Sequence, residues 1–163
     1  MIIVKKSGYL KYRNFRFRCA IGKAGIGEKI KEGDNLTPKG IFKITKIYYR
    51  ADRIKYIKTN IRKIKIKKDM GWCDDPKSKF YNMQIKLPNK YSYEKLYRND
   101  NLYDLIAVLN YNTRPILKNK GSAIFIHISN NSYKKTAGCI ALKKKNLIYI
   151  LSKIKKNTKI KIK

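Results

Sequence analysis

Short segments with the hydrophobic pattern of β-strands recur from one end of the chain to the other. Phe15, Phe17 and Cys19 alternate with polar residues, and "IFKITKIYY" and "IRKIKIKK" are rich in β-branched and aromatic residues. This pattern predicts strands that bury one face. "LYDLIAVLNYN" and "GSAIFIHIS" are compact apolar runs bounded by Gly, Pro and Asn, which indicates strands buried on both faces. We therefore expect a mainly β protein.

Two short helices, an N-terminal hairpin and a C-terminal strand complete this prediction. Near the C-terminus, apolar residues fall at i, i+3, i+4 and i+7, the spacing of an amphipathic helix: Leu147, Ile150, Leu151 and Ile154. "SYEKLYRND" predicts a second helix, capped by Ser92. "IIV", a turn at "KKSGY" and "NFRFRCAIG" predict an N-terminal hairpin, and "TKIKIK" predicts a closing strand. Without repeats or linkers, residues 1–163 are expected to form one domain.

The sequence contains no recognisable membrane or export segment. No stretch approaches the roughly 18 apolar residues of a membrane-spanning helix. The start, "MIIVKKSGYLKYRNF", reaches lysines at once and offers no small-residue cleavage site, so it does not predict a signal peptide. We expect that the chain stays in the cytoplasm, leaves it by another route, or has lost a leader.

The chain is strongly basic, with 41 Lys and Arg against 10 Asp and Glu and a formal net charge of +31. Such a charge attracts polyanions, including nucleic acid and anionic lipid. The basic residues are spread evenly, however, and the abundance of Lys, Ile, Asn and Tyr is also what an AT-rich genome produces. The sequence therefore favours a solvated basic surface over a specific nucleic-acid site.

Three cysteines, Cys19, Cys73 and Cys139, lie far apart in the sequence. The chain has no C-x-x-C motif and no short Cys/His pair, so the usual zinc spacings are missing. No metal and no cofactor are predicted. An odd number leaves at least one thiol free, and the economical interpretation is one functional cysteine and two buried structural ones.

Cys139 and the single histidine, His127, are a candidate nucleophile and base. His127 falls at the end of a predicted buried strand, and Cys139 follows Gly138 where a loop enters an apolar segment. A glycine before a nucleophile leaves room for substrate and N–H groups for an oxyanion. A neighbouring imidazolium lowers a cysteine pKa from about 8.5 to about 3.5–7.5. On spacing alone, a buried structural cysteine and histidine remain the more common arrangement.

The segment "HISNNSYKKTAGCIAL" resembles the signature of the L,D-transpeptidase catalytic domain of the YkuD-like family. In that signature a histidine precedes a Ser/Thr-His-Gly-Cys element by one to two dozen residues. "KIKEGDNLTPKGIFKI" matches the family's upstream strand entry, and "YRADR", "GWCDDPKSKFYN", "LYDLIAVLNYN" and "GSAIFIHI" resemble further blocks in the same order. The resemblance covers nearly the whole chain.

The resemblance implies a role for each matching residue. Cys139 corresponds to the acylated nucleophile, and His127 to the general base. Gly138 corresponds to the oxyanion-hole segment, together with the backbone N–H of Cys139, and Thr136 to the Ser/Thr of the motif. At Ile128 the family often supplies only a backbone carbonyl, which orients the imidazole.

This chain departs from the signature at two positions. Ala137 stands where the family has a second histidine, and Ala141 where it commonly has a polar residue or an arginine. The second change leaves open which residue holds the substrate's carboxylates. Arg114 or one of the many lysines is a candidate replacement.

The resemblance implies a β-sandwich with one or two short helices and a long catalytic loop. It also implies acyl transfer on peptidoglycan stem peptides in the cell envelope or periplasm: Cys139 displaces D-alanine, and an acceptor amine resolves the thioester. Three alternatives remain open at this level. They are an L,D-carboxypeptidase or other amide hydrolase that uses the same pair and water, a non-catalytic basic module that binds polyanions, and a family member that its two alanines have inactivated.

Overall fold

A computed structural model describes residues 1–163, which form fourteen strands and one helix. The strands are β1 (Ile2–Lys5), β2 (Tyr9–Tyr12), β3 (Phe15–Ala20), β4 (Ile26–Gly27), β5 (Thr37–Pro38), β6 (Gly40–Tyr49), β7 (Lys63–Lys65), β8 (Met70–Cys73), β9 (Gln84–Lys86), β10 (Tyr93–Lys95), β11 (Leu105–Leu109), β12 (Phe125–Ile128), β13 (Ile140–Leu142) and β14 (Lys159–Ile162). The helix, α1, spans Lys144–Lys153. No helix combines the length and the apolar character needed to cross a bilayer.

Eight of the strands form a sheet that closes on itself. Hydrogen-bonded neighbours follow the order β11-β12-β13-β3-β2-β1-β14-β6, and β6 pairs in turn with β11. The ten-residue β6 makes both contacts because residues 40–43 pair with β14 and residues 44–49 with β11. The predicted mainly β fold is confirmed, and its layers are joined through β6 into a barrel-like sheet.

The main hydrophobic core lies inside the closed sheet. Each of the eight strands contributes buried side chains to one cluster, among them Ile2, Ile126, Ile140 and Ile160. The predicted C-terminal helix is also confirmed, since Leu147, Ile150 and Leu151 of α1 are buried in the same cluster. Alternation along the strands explains this burial, because every second side chain points inward.

Strands β11, β12 and β13 bury their outer face as well. Ile106, Val108 and Phe125 point outward and pack against Trp72 and other side chains in a second cluster, which also contains Cys139. Trp72 belongs to a separate three-stranded sheet of order β10-β8-β9 that covers this face. Burial on both faces explains why these strands are continuous apolar runs in the sequence.

The prediction of a helix in "SYEKLYRND" is wrong. Tyr93–Lys95 form strand β10, which pairs antiparallel with β8. The Ser92 hydroxyl donates to a carboxylate oxygen of Asp74 at 2.6 Å and caps no helix. Pairing with β8 supplies the backbone partners, and tertiary contacts outweigh local helix propensity.

Candidate active site

Cys139 and His127 lie on the same outer face of two adjacent strands. β12 and β13 are parallel, and His127 is directly beside Ala141. Because alternate residues of a strand share a face, Cys139, two residues before Ala141, faces the same side as His127. Both side chains line one cavity of about 210 Å³. The sheet register therefore brings together the two residues that the sequence paired.

The Cys139 thiol is held in a buried resting position. It donates a hydrogen bond to the carbonyl oxygen of Ala123 at 3.1 Å, and its sulfur accepts one from the backbone N–H of Phe125 at 3.4 Å. Burial raises the pKa of Cys139 to about 12, and the negative charge of Glu94 adds to this effect. The thiol of Cys139 is therefore protonated in the resting protein, as a thiol that awaits a general base would be.

His127 is oriented as a neutral base. Its Nδ1 lies 2.9 Å from the carbonyl oxygen of Ile128. A carbonyl only accepts, so Nδ1 carries the proton and Nε2 keeps its lone pair. Burial lowers the pKa of His127 to about 4, which leaves the imidazole neutral near pH 7. The backbone carbonyl at Ile128 is the partner that the resemblance implied.

The segment before Cys139 provides a free backbone donor. The Thr136 hydroxyl donates to the carbonyl oxygen of Cys139 at 2.6 Å and accepts from the N–H of Gly138 at 3.2 Å. The N–H of Cys139 itself donates to no acceptor in the chain. A donor of this kind, next to the attacking sulfur, is suited to stabilise an oxyanion.

The loop that carries Cys139 is anchored to the glycine-rich segment near the N-terminus. The N–H of Thr136 donates to Ile21, and the carbonyl of Thr136 accepts from the N–H of Lys23, at 3.0 and 2.9 Å. The fully buried Thr37 in turn accepts the N–H of Gly22 at 2.8 Å through its hydroxyl. The "TPKG" block is therefore far from Cys139 in sequence but supports the loop that carries it.

Gly138→Ala is expected to destabilise the protein and reduce acylation. Gly138 has φ +144°, and a Cβ atom there would lie 2.9 Å from the carbonyl oxygen of Leu36. Backbone strain of this kind costs about 1–3 kcal/mol, to which the contact adds. The free energy of unfolding measured in urea checks this.

Gly25→Ala is the matched control for that change. Gly25 also has a positive φ, +88°, but a Cβ atom added there would meet nothing within 4 Å. The Gly25→Ala variant should therefore lose less free energy of unfolding than Gly138→Ala. Equal losses in the two variants would contradict a role for the close approach of Leu36.

Arg114, the proposed substitute for the family's arginine, does not reach this cavity. It lines a different cavity with Lys46 and Trp72. The segment that follows β11 contributes Asn110, Thr113 and Ile116 to that same separate cavity. Arg98 is the arginine that lines the cavity of Cys139.

Among the cavity residues that the sequence did not indicate are Glu94, Arg98 and Tyr103. The Tyr103 ring meets the His127 ring edge-on, with 5.3 Å between centroids, and the guanidinium of Arg98 lies 5.0 Å from the Tyr103 centroid. The only sequence feature that could have pointed to these residues is the density of charged and aromatic side chains in "YEKLYRNDNLY", just before a buried strand.

The remaining wall of the cavity is basic and partly apolar. Lys134 and Lys135 line it, as do Ala137 and Ala141, the two residues that depart from the family signature. No group of three or more His, Cys, Asp or Glu side chains is placed to hold a metal ion.

Comparison with known proteins shows the family of the chain. No curated protein sequence matches the chain significantly. A family model described as the L,D-transpeptidase catalytic domain, YkuD, matches residues 1–162, essentially the whole chain. The protein therefore belongs to the YkuD family of L,D-transpeptidase catalytic domains.

Proposed function

We propose that this protein is a cysteine-dependent L,D-transpeptidase that forms an acyl-enzyme on Cys139. Its family acts on peptidoglycan, the polymer of the bacterial cell wall. The observation that carries the proposal is the placement of Cys139 and His127 on one face of adjacent strands, where both line a single cavity. The substrate is a stem peptide whose diamino acid is followed by a terminal D-alanine.

Acylation starts with rotation of the Cys139 side chain away from Ala123. In the resting protein the thiol is bonded to that carbonyl and makes no hydrogen bond to His127. Once the sulfur faces Nε2, His127 takes the thiol proton while the sulfur attacks the carbonyl carbon of the diamino acid. The oxyanion that forms is stabilised by the backbone N–H of Cys139.

Collapse of this intermediate breaks the amide bond. The imidazolium of His127 gives its proton to the departing amine, D-alanine leaves, and a thioester joins the diamino acid to Cys139. The amine of a second stem then attacks the thioester and loses a proton to His127. The thiolate of Cys139 leaves, recovers that proton, and a cross-linked pair of stems is released.

The neutral resting states of Cys139 and His127 are consistent with His127 acting as a general base. Burial raises the pKa of Cys139 to about 12 and lowers that of His127 to about 4, so separating charge between them in the empty site is unfavourable. Proton transfer is then coupled to attack on bound substrate. This coupling protects the thiol from unproductive reactions when no stem is present.

The charge of the cavity also suits the substrate. Arg98, Lys134 and Lys135 line it, and stem peptides carry several carboxylates. These cations would hold the substrate's carboxylates, the role that the family's polar residue or arginine has at the position of Ala141. The formal net charge of +31 favours approach to an anionic polymer in general.

Product analysis with a purified tetrapeptide stem tests the proposal. We expect D-alanine release and, when a stem with a free side-chain amine is added, a cross-linked dimer whose yield rises with acceptor concentration. Cys139→Ala serves as the inactive control. Only the shortened stem, at every acceptor concentration, would assign the chain to the L,D-carboxypeptidases instead, because both reactions share the acylation step. Absence of D-alanine release would contradict both enzymes.

A further inference from the structure

Glu94 is the only acidic residue that lines the cavity of Cys139 and His127. It lies half-buried on β10, in the small sheet that covers the outer face of β12 and β13. Its Oε2 accepts a hydrogen bond from the Tyr103 hydroxyl at 2.6 Å, whereas its Oε1 has no hydrogen-bond partner in the chain. One carboxylate oxygen is therefore held in place, and the other is available.

No cation of the protein forms an ion pair with this carboxylate. The charge of Arg98 favours the ionised form of Glu94, but the Arg98 guanidinium is itself paired with Asp100. Burial raises the pKa of Glu94, which shows that its surroundings disfavour the negative charge. A cationic group of a ligand would supply the missing partner.

Glu94 is also close to the reacting groups. Its charge contributes to the raised pKa of Cys139. Tyr103, whose hydroxyl donates to Glu94, also meets the His127 ring edge-on. A cation held by Glu94 therefore belongs to the part of the substrate that is next to the attacked carbonyl.

We propose that Glu94 is a specificity residue that binds the side-chain ammonium of the donor's diamino acid. This inference rests on the proposed function, since it concerns the residue whose carbonyl Cys139 attacks. The donor's side-chain amine takes no part in bond formation and stays protonated throughout. The acceptor's amine, in contrast, must be neutral when it attacks, so a carboxylate is better suited to the donor.

The other charges in the cavity indicate which stem peptides the site prefers. With Arg98, Lys134 and Lys135 on the same cavity wall, Glu94 makes a site of mixed sign. Such a site fits a stem whose carboxylates meet the cations while its free ammonium meets Glu94. It disfavours a stem whose side-chain amine has been acylated, because the Oε1 atom would then be buried without a charged partner.

A pair of donor peptides tests this directly, one with a free side-chain amine on the diamino acid and one with that amine acetylated. For the wild-type protein, kcat/KM for D-alanine release should be about 10- to 100-fold higher with the free amine, the range for a hydrogen bond to a charged group. In Glu94→Gln this ratio should fall to about 1. Gln keeps the size of the side chain and an oxygen that can accept from Tyr103.

Glu28→Gln is the matched control, because Glu28 is exposed and outside the cavity; it should keep the wild-type ratio. If Glu94 only positioned His127 through Tyr103, Glu94→Gln would slow both peptides equally and leave the ratio unchanged, which would overturn the proposal. A wild-type protein without preference between the two peptides would overturn it as well. Failure to release D-alanine from either peptide would overturn the proposed function, and this inference with it.

Discussion

Incubation with a carbapenem is expected to add the mass of one inhibitor molecule to the wild-type protein and none to Cys139→Ala. The inhibitor's strained amide is attacked as the stem's amide would be, and the covalent product is stable enough to weigh intact. The loss is complete because alanine offers no atom to acylate. Cys139 is the only one of the three free cysteines that lines the cavity of His127.

Cys19→Ala is the control for this result. Cys19 is also buried, and burial raises its pKa to about 12, but its side chain lies in the core inside the closed sheet and does not line the cavity of His127. This variant should form the adduct at the wild-type rate. An adduct that persists in Cys139→Ala, or that requires Cys19, would refute Cys139 as the nucleophile.

The strands of the fold could be predicted because their signal is local. In β11 and β12 each residue is buried on one face or the other, so "LIAVL" and "FIHI" are apolar almost without a break. Leu147, Ile150 and Leu151 likewise carry the helical period in their spacing. These patterns depend on which side of one element is buried, and the sequence records that directly.

The lining of the active site could be predicted only in part. Cys139, His127 and Thr136 lie within one continuous segment, and a family signature spans them. Glu94 reaches the same cavity only because β10 pairs with β8 and the resulting small sheet covers the outer face of β12. Tyr103 reaches it because the segment before β11 lies against the end of β12, where the carbonyl of Leu102 accepts from the N–H of Ile128. Nothing within "SYEKLYRND" records that pairing, so its local helix propensity was misleading.

The protonation states of the pair were equally inaccessible from sequence. The spacing of His127 and Cys139 does not report their charges, whereas the structure buries both side chains, with 7% and 9% of their surfaces exposed. Burial penalises the charged form of each group and so moves the two pKa values apart. Whether a Cys/His pair rests as ions or as neutral groups depends on the solvent around it, which only the fold determines.

Replacing His127 with glutamine is expected to lower the rate of Cys139 acylation by about 10²- to 10⁴-fold, the usual contribution of a positioned general base. Glutamine can still donate to the carbonyl of Ile128, but it offers no basic nitrogen. Acylation by a carbapenem, stopped at timed intervals and followed by intact mass, measures this rate. The variant should still form the adduct slowly, because the thiol and the N–H of Cys139 remain.

The pH profile separates a base from a structural residue. Burial lowers the pKa of His127 from its ordinary value of 6.5 to about 4, so the imidazole stays unprotonated as the pH falls through 6.5. For the wild-type protein, kcat/KM should therefore be maintained below pH 6.5 and fall only near pH 4, and His127→Gln should lack that acid limb. A fall centred on pH 6.5 would mean that water reaches the imidazole in the working enzyme. An unchanged profile in His127→Gln would mean that some other group accepts the thiol proton, although the chain has no second histidine to do so.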